Sequence, residues 1–352
     1  MDLDAFVNKY RKKYGDKAAF VGNEHQPVDV VPTGILALDY ALGIGGWPRG
    51  HAVEVYGAPN IGKTSTVGYS AIAQAQKLGL QCGVINIEPR FDKSWATRRG
   101  VDVDSLPIMY PDNGNDAFEI LREWTMDPDL PFDYILFDSI GAIVTESDLR
   151  PEAASRVGGQ SKLITDGVKR ILMSAWKNNV GIMFINQQRD DHNARIQGLV
   201  ESPGGWALKH AAMYRIHLKP GRERYTAKID GDDRVIGREL VANIKKSAAG
   251  DSLGAAARFD FYHMETEGNP FGVDVTQDII NTGLKTKVIN QAGAYYRHEA
   301  FGEKGQLQGR KAVDAFIAEN PKVVDVIRDE VLEVMKDKRA KAQAAKPQLE
   351  AL

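Results

Sequence analysis

Apolar positions along the first 270 residues fall into two alternating patterns. Short, near-continuous apolar runs at 52–56, 83–87, 134–137, 181–185, 214–218, 240–245 and 258–262 have the length of strands. The early runs lack the in–out alternation of a one-sided sheet, as expected where both faces are buried. Between the early runs, 64–78 and 160–177 carry apolar residues at helical spacing. This alternation predicts an α/β fold with a mainly parallel central sheet covered by helices. The last strands follow one another without helices and read as an antiparallel extension.

The flanks differ. Leu3, Phe6, Val7, Tyr10 and Tyr14 line one face of a helix predicted over 2–14, and Gly15 suits its stop. The opposite face is mostly Lys and Arg. So short a helix cannot bury its stripe alone, so it packs either on its own domain or on a neighbouring subunit. From 272 onward, helical signals, a basic loop over 296–311 and an amphipathic helix over 321–336 predict a small C-terminal α/β domain. The expected organisation is an oligomerisation helix and linker (1–30), a core (31–270), the C-terminal domain (271–336) and a frayed or disordered basic tail (337–352). No internal repeat is visible.

Composition narrows the class. The 352 residues suffice for one large core and a satellite, and 43% hydrophobic with 26% charged residues is ordinary for a globular protein. No apolar run is long enough to span a bilayer, which argues against a membrane partner, and the N-terminus lacks the apolar centre of a secretory signal. One cysteine, Cys82, excludes a disulfide framework and fits a reducing cytoplasmic compartment. The formal net charge of −2 offers nucleic acid no global attraction, so any such binding must come from local basic patches.

The most specific local motif is Gly57-Ala58-Pro59-Asn60-Ile61-Gly62-Lys63-Thr64, a P-loop. An apolar strand precedes it and a helical stretch follows, the context in which loop amides and a helix N-terminus bind phosphates. Lys63 can reach the β- and γ-phosphates of ATP, and the Thr64 hydroxyl can ligate Mg2+. Asp138 ends the apolar strand 134–137 and suits the Mg2+ shell, with a helix cap as the alternative. Glu88 closes the run 83–87, which is expected to lie beside the P-loop strand. It is either the carboxylate that orients attacking water or a surface strand end. Gln187 ends another strand, where an amide can sense a γ-phosphate or merely satisfy backbone groups.

These segments resemble the bacterial RecA recombinase family. The resemblance rests on 32–50 leading into the P-loop, 88–100, Asp138-Ser139, 184–189 (FINQQR), 204–209 (GGWALK) and 283–296, and it covers about residues 1–335 in one order. It implies a RecA-like ATPase core acting as an ATP-dependent recombinase. Such a protein forms a helical filament on single-stranded DNA and exchanges strands with homologous duplex DNA. It implies that Gly57 through Ser65 wrap the phosphates and that Glu88 serves hydrolysis. Gln187 would link the γ-phosphate to a DNA-binding loop, while Asp92 and Trp95 meet the adenine. Lysines from a neighbouring subunit complete the site: Lys246 matches one position, whereas the other holds Ile244 with Lys245 beside it.

Two long loops, about 150–162 and 188–205, match the family's DNA-gripping segments. Arg156, Lys162, Arg189 and Arg195 are candidate phosphate contacts, Val157 the apolar wedge, and Gly158, Gly159, Gly204 and Gly205 the flexible close-approach points. Departures are Asp190, Asp191 and His192 in the second loop, and Trp206, which could stack on a base but is expected as a buried anchor. A basic cluster of Lys285, Lys287, Arg297, Lys304, Arg310 and Lys311 either guides duplex DNA or is a solvated face. The basic rather than acidic tail resembles phage- or plasmid-borne members. Competing readings are a hexameric helicase on the same core and an ATP-gated DNA-binding scaffold with little turnover.

Overall fold

The computed structural model describes residues 1–21, 28–127, 129, 131–145, 159–190, 200–249 and 252–344. A nine-stranded sheet organises the core. From one edge its strands are Gly272–Val273, Ala256–Tyr262, Asp232–Ser247, Tyr214–Ile229, Ala52–Gly57, Gly181–Gln187, Tyr134–Asp138, Cys82–Asn86 and Ile108–Met109. From Tyr214–Ile229 to Ile108–Met109 all pairings are parallel, and the remaining ones are antiparallel. This is the mixed α/β architecture that the alternating pattern predicts.

Two apolar layers cover the parallel part. One packs Leu38, Ile72, Val84, Leu136 and Ile185 between sheet and the helices Leu36–Leu42 and Tyr69–Lys77. The other packs Leu121, Ile135, Phe137, Ile171 and Phe184 against Gly114–Met126 and Gly159–Lys177. Strands covered on both faces need no alternation, which is why these runs are near-continuously apolar.

Three sequence expectations change. The strand of Glu88 does not lie beside the P-loop strand, because Gly181–Gln187 and Tyr134–Asp138 stand between them. The run 214–218 is the start of a sixteen-residue strand, Tyr214–Ile229, paired with the equally long Asp232–Ser247. The final helix, Lys322–Ala344, continues past 336 into the segment expected to be frayed. Arg339 anchors that extension by donating to Ile44 O at 3.2 Å and Val28 O at 3.1 Å.

The C-terminal part has its own apolar cluster, including Ile280, Ile289, Phe301, Val313 and Ile327, around a three-stranded sheet. Leu36 of the core joins it. Asp278, from the helix Val275–Thr286, accepts from Leu36 N at 2.5 Å and Ala37 N at 3.1 Å, capping a core helix from the C-terminal part. Two members of the basic cluster are occupied structurally. Lys285 lies over the Tyr40 ring, and Arg310 bonds Asp314 and Gln277. On the N-terminal helix, Leu3–Tyr14, only Val7 is buried, so among the described residues nothing of its own domain covers the rest of its apolar stripe.

Candidate functional site

The loop after Ala52–Gly57 turns sharply into the segment Lys63–Gly68 and the helix Tyr69–Lys77. Two of its glycines are sterically required. A Cβ on Gly57 would stand 2.3 Å from Leu218 O, and Gly62 has φ +96°, a left-handed conformation that side chains disfavour. The Lys63 ammonium is buried and donates to Ala58 O at 2.8 Å and Gly57 O at 3.1 Å. Burial pulls its pKa down, against the pull of Asp138 and Glu88.

Asp138 stands at the end of the neighbouring strand but one. Its Oδ2 accepts from Thr64 Oγ1 at 2.8 Å. Burial pushes its carboxyl up to about 6, the Thr64 bond and Lys63 opposing and Glu88 adding to the rise. A carboxylate so strained by desolvation gains from a cation beside it. A hydroxyl and a single carboxylate are the sparse protein set that Mg2+ uses when phosphates complete its shell, so the residues fit that ion.

Glu88 reaches this cleft although its strand is remote, because it lies beyond the strand end, over the C-terminal edge of the sheet. Its Oε1 accepts from Ser139 Oγ at 2.8 Å and from Gln187 Nε2 at 3.1 Å. The amide of Gln187 and the carboxylate of Glu88, both candidates for the site, therefore touch. A cleft of about 400 Å3 contains Lys63, Thr64, Glu88, Asp138, Ser139 and Gln187, and extends to Asp92 and Trp95. Asp92 caps the helix Lys93–Arg98 through Trp95 N at 2.9 Å, which orients Trp95 at the cleft wall against Phe271.

Lys246 and Lys245 lie elsewhere. Arg215 pairs with Lys246 and Ile216 with Ile244, so Lys245 bulges out of the ladder and is exposed. The Lys246 ammonium donates to Lys209 O at 2.9 Å and His210 O at 2.5 Å. Its register places it toward the start of the P-loop strand, away from its own Lys63.

Of the DNA-facing candidates, Arg156, Val157, Gly158 and Arg195 lie outside the described residues, as do Asp191 and His192. Gly159 opens the helix Gly159–Lys177, on which Lys162 is exposed, so the first loop ends earlier than 162. Within the second, Arg189–Asp190 pairs antiparallel with Val200–Glu201, so this stretch is not wholly irregular. Gly204 and Gly205 both have positive φ, and the helix Gly205–Ala211 follows. Trp206 is 75% exposed, so it is not the buried anchor expected. Its neighbours explain this: Gly204 and Leu208 are buried, which turns position 206 outward on the helix.

A buried polar chain connects the cleft to the second loop. Asn186, beside Gln187, donates to Glu54 Oε1 and to Pro203 O, both at 2.8 Å. Glu54 Oε2 accepts from Arg215 Nε at 2.6 Å, and Arg215 continues to Ser202 Oγ at 3.0 Å and Glu201 Oε2 at 3.2 Å. Sequence reasoning missed Glu54, Arg215 and Ser139. The signal for Glu54 was a charge inside an otherwise apolar strand, and for Arg215 a charge within a mostly apolar run.

The RecA N-terminal domain model matches residues 1–263, and the RecA C-terminal domain model matches 277–336. A protein named RecA from Rhodopirellula baltica is 31% identical over 333 residues, covering 94% of this chain and 84% of its own. RecA of Streptomyces avermitilis is 32% identical over 335 residues, with the same coverage. RecA of Bacteroides thetaiotaomicron is 30% identical over 339 residues, 96% of this chain and 97% of its own.

Proposed function

This chain belongs to the RecA family, and on that premise we propose how its cleft couples nucleotide to DNA. As a member it is a DNA recombinase and a DNA-dependent ATPase, serving recombination and repair. The nucleotide is ATP, held by Gly57 through Ser65 with its adenine near Asp92 and Trp95. Thr64 and Asp138 would hold Mg2+, which when bound neutralises phosphate charge. Lys63 exchanges its loop carbonyls for phosphate oxygens.

Glu88 orients the attacking water, and Gln187 senses the γ-phosphate. Lys246 of an adjoining protomer, with the bulged Lys245 near it, supplies positive charge across the interface. Gln187 then passes the nucleotide state through Asn186 to Pro203, at the base of the second loop. There Arg189, Gly204 and Gly205, with Gly159 and Lys162 of the first segment, contact single-stranded DNA phosphates. A filament on that strand tests a homologous duplex by base pairing. No helix among the described residues is long and apolar enough to cross a membrane.

The observation that carries this reading is the bond from Gln187 Nε2 to Glu88 Oε1. One amide contacts the hydrolytic carboxylate and neighbours the residue that holds the loop. The test is ATP turnover with and without single-stranded DNA, together with three-strand exchange using homologous and heterologous duplex. Turnover should rise with DNA, vanish in Lys63→Ala, and exchange should require homology. Equal turnover with and without DNA would overturn the coupling.

A further inference from the structure

We propose that Trp206, stacked on His210, is an aromatic shelf that takes a base of bound single-stranded DNA. This rests on the DNA-binding reading above and adds a contact that phosphate-gripping side chains do not provide.

The helix Gly205–Ala211 lies against Gly159–Lys177, and a cleft of about 730 Å3 opens between them. Trp206 and His210 form one wall, with ring centroids 5.6 Å apart and planes inclined by 21°. Lys209 Nζ lies 5.7 Å from the indole centroid. The other four of the five tryptophans are buried or half-buried, so Trp206 is the one presented to solvent.

The indole, 75% exposed, shares the cleft with Val168, Leu172 and Ala211, and an apolar patch gathered in a cleft marks a binding position. The partner's chemistry follows from the rim. Lys162 and Lys169 are exposed on the facing helix and line the same cleft, as does His210. Cations around an aromatic ring select a polyanion with π faces, the combination that single-stranded nucleic acid offers. An apolar patch of a second protein copy would bury those ammonium groups at a cost.

Position agrees with that choice. The cleft joins the helix that begins at Gly159 to the helix that begins after Gly204, so it continues from the ends of both DNA-facing segments. The stack on His210 and the cation over the ring hold the indole before DNA arrives. A base then stacks without first freezing a free side chain.

The experiment uses the full-length protein with a slowly hydrolysed ATP analogue and labelled oligo(dT). Anisotropy reads binding, and the emission difference between wild type and Trp206→Phe isolates the Trp206 signal. Oligo(dT) should quench that signal, and an abasic oligonucleotide of equal length should leave it unchanged. Trp206→Ala should weaken oligo(dT) binding about tenfold, with Trp206→Tyr and Trp206→Phe intermediate. Should Trp206→Ala fail to fold, the Phe difference spectrum still decides.

Three results would overturn the shelf while leaving DNA binding intact. The first is oligo(dT) bound with Trp206 emission unaltered. The second is equal quenching by the abasic strand. The third is quenching on nucleotide-driven assembly without DNA, which would mean that a second copy covers the ring. Wild type that binds no oligo(dT) would instead remove the DNA-binding reading itself.

Discussion

Gln187 Nε2 donates to Glu88 Oε1 at 3.1 Å, joining the end of one strand to a residue beyond the end of another two strands away. The same Glu88 oxygen also accepts from Ser139 Oγ. An amide that holds this carboxylate must loosen its grip to contact a phosphate, so the two tasks compete. Replacing Gln187 with Ala frees Glu88 from that control and cuts the route to Asn186. In Gln187→Ala the ratio of ATP turnover with single-stranded DNA to turnover without it should collapse to about one, a loss of coupling free energy. Steady-state phosphate release at saturating ATP checks this, and a preserved ratio would remove Gln187 from the relay.

The ion pair of Glu54 and Arg215 makes a separate prediction. Glu54 is fully buried and Arg215 nearly so, at 2.6 Å. Removing one partner leaves the other charge without compensation in the sheet. Arg215→Ala should therefore lose about 3–5 kcal/mol of stability, whereas replacing both partners with apolar residues of similar volume should recover much of it. Urea unfolding of the two single variants and the double variant measures the coupling. Because Arg215 also holds Ser202 and Glu201, DNA binding should suffer in the double variant even where stability returns.

Two buried carboxyls at the junction with the C-terminal part give a pH dependence. Burial pushes Asp39 up to about 8, with the Thr33 bonds opposing, and pushes Asp278 up to about 7. Both start from an ordinary value of 3.8, so the folded state binds these protons more tightly than the unfolded chain. Their contribution is fully present below that value and is lost as pH rises through about 7 and 8. Stability should thus fall as pH is raised from about 4 to about 8, and Asp278→Asn should flatten part of that slope. Denaturant midpoints over a pH series read it; a slope unchanged in the variant would assign the titration elsewhere.

How much of this was legible beforehand follows from what is local. The P-loop is a contiguous motif, and strands buried on both faces write themselves as apolar runs, so Lys63, Thr64, Asp138 and the sheet class could be read directly. The neighbours of Glu88 could not, because strand order depends on the path of crossovers rather than on any one segment. The outer half of Tyr214–Ile229 carries few apolar residues and is held as a strand by pairing with Asp232–Ser247. The helix beyond 336 looked frayed by its charge, yet Lys, Arg and Ala are strong helix formers, and Arg339 ties it to the core. Trp206 was judged by residue type, while its exposure depends on which face of a short helix is turned inward.

Lys246 yields the most direct test of a site shared between protomers. Its ammonium donates to the carbonyls of Lys209 and His210, at the end of the helix that carries Trp206, and burial lowers its pKa. Its strand register keeps it from the Lys63 cleft of its own chain. If it serves a neighbour's nucleotide, Lys246→Ala and Lys63→Ala should each lack DNA-stimulated turnover alone. An equal mixture should regain activity, because an interface formed by the P-loop of the first variant and the Lys246 of the second is intact. Random head-to-tail assembly makes about a quarter of interfaces whole, which sets the expected recovery in a titration of one variant with the other. A mixture as inactive as its components would mean that Lys246 acts within its own chain, through the helix end it already holds.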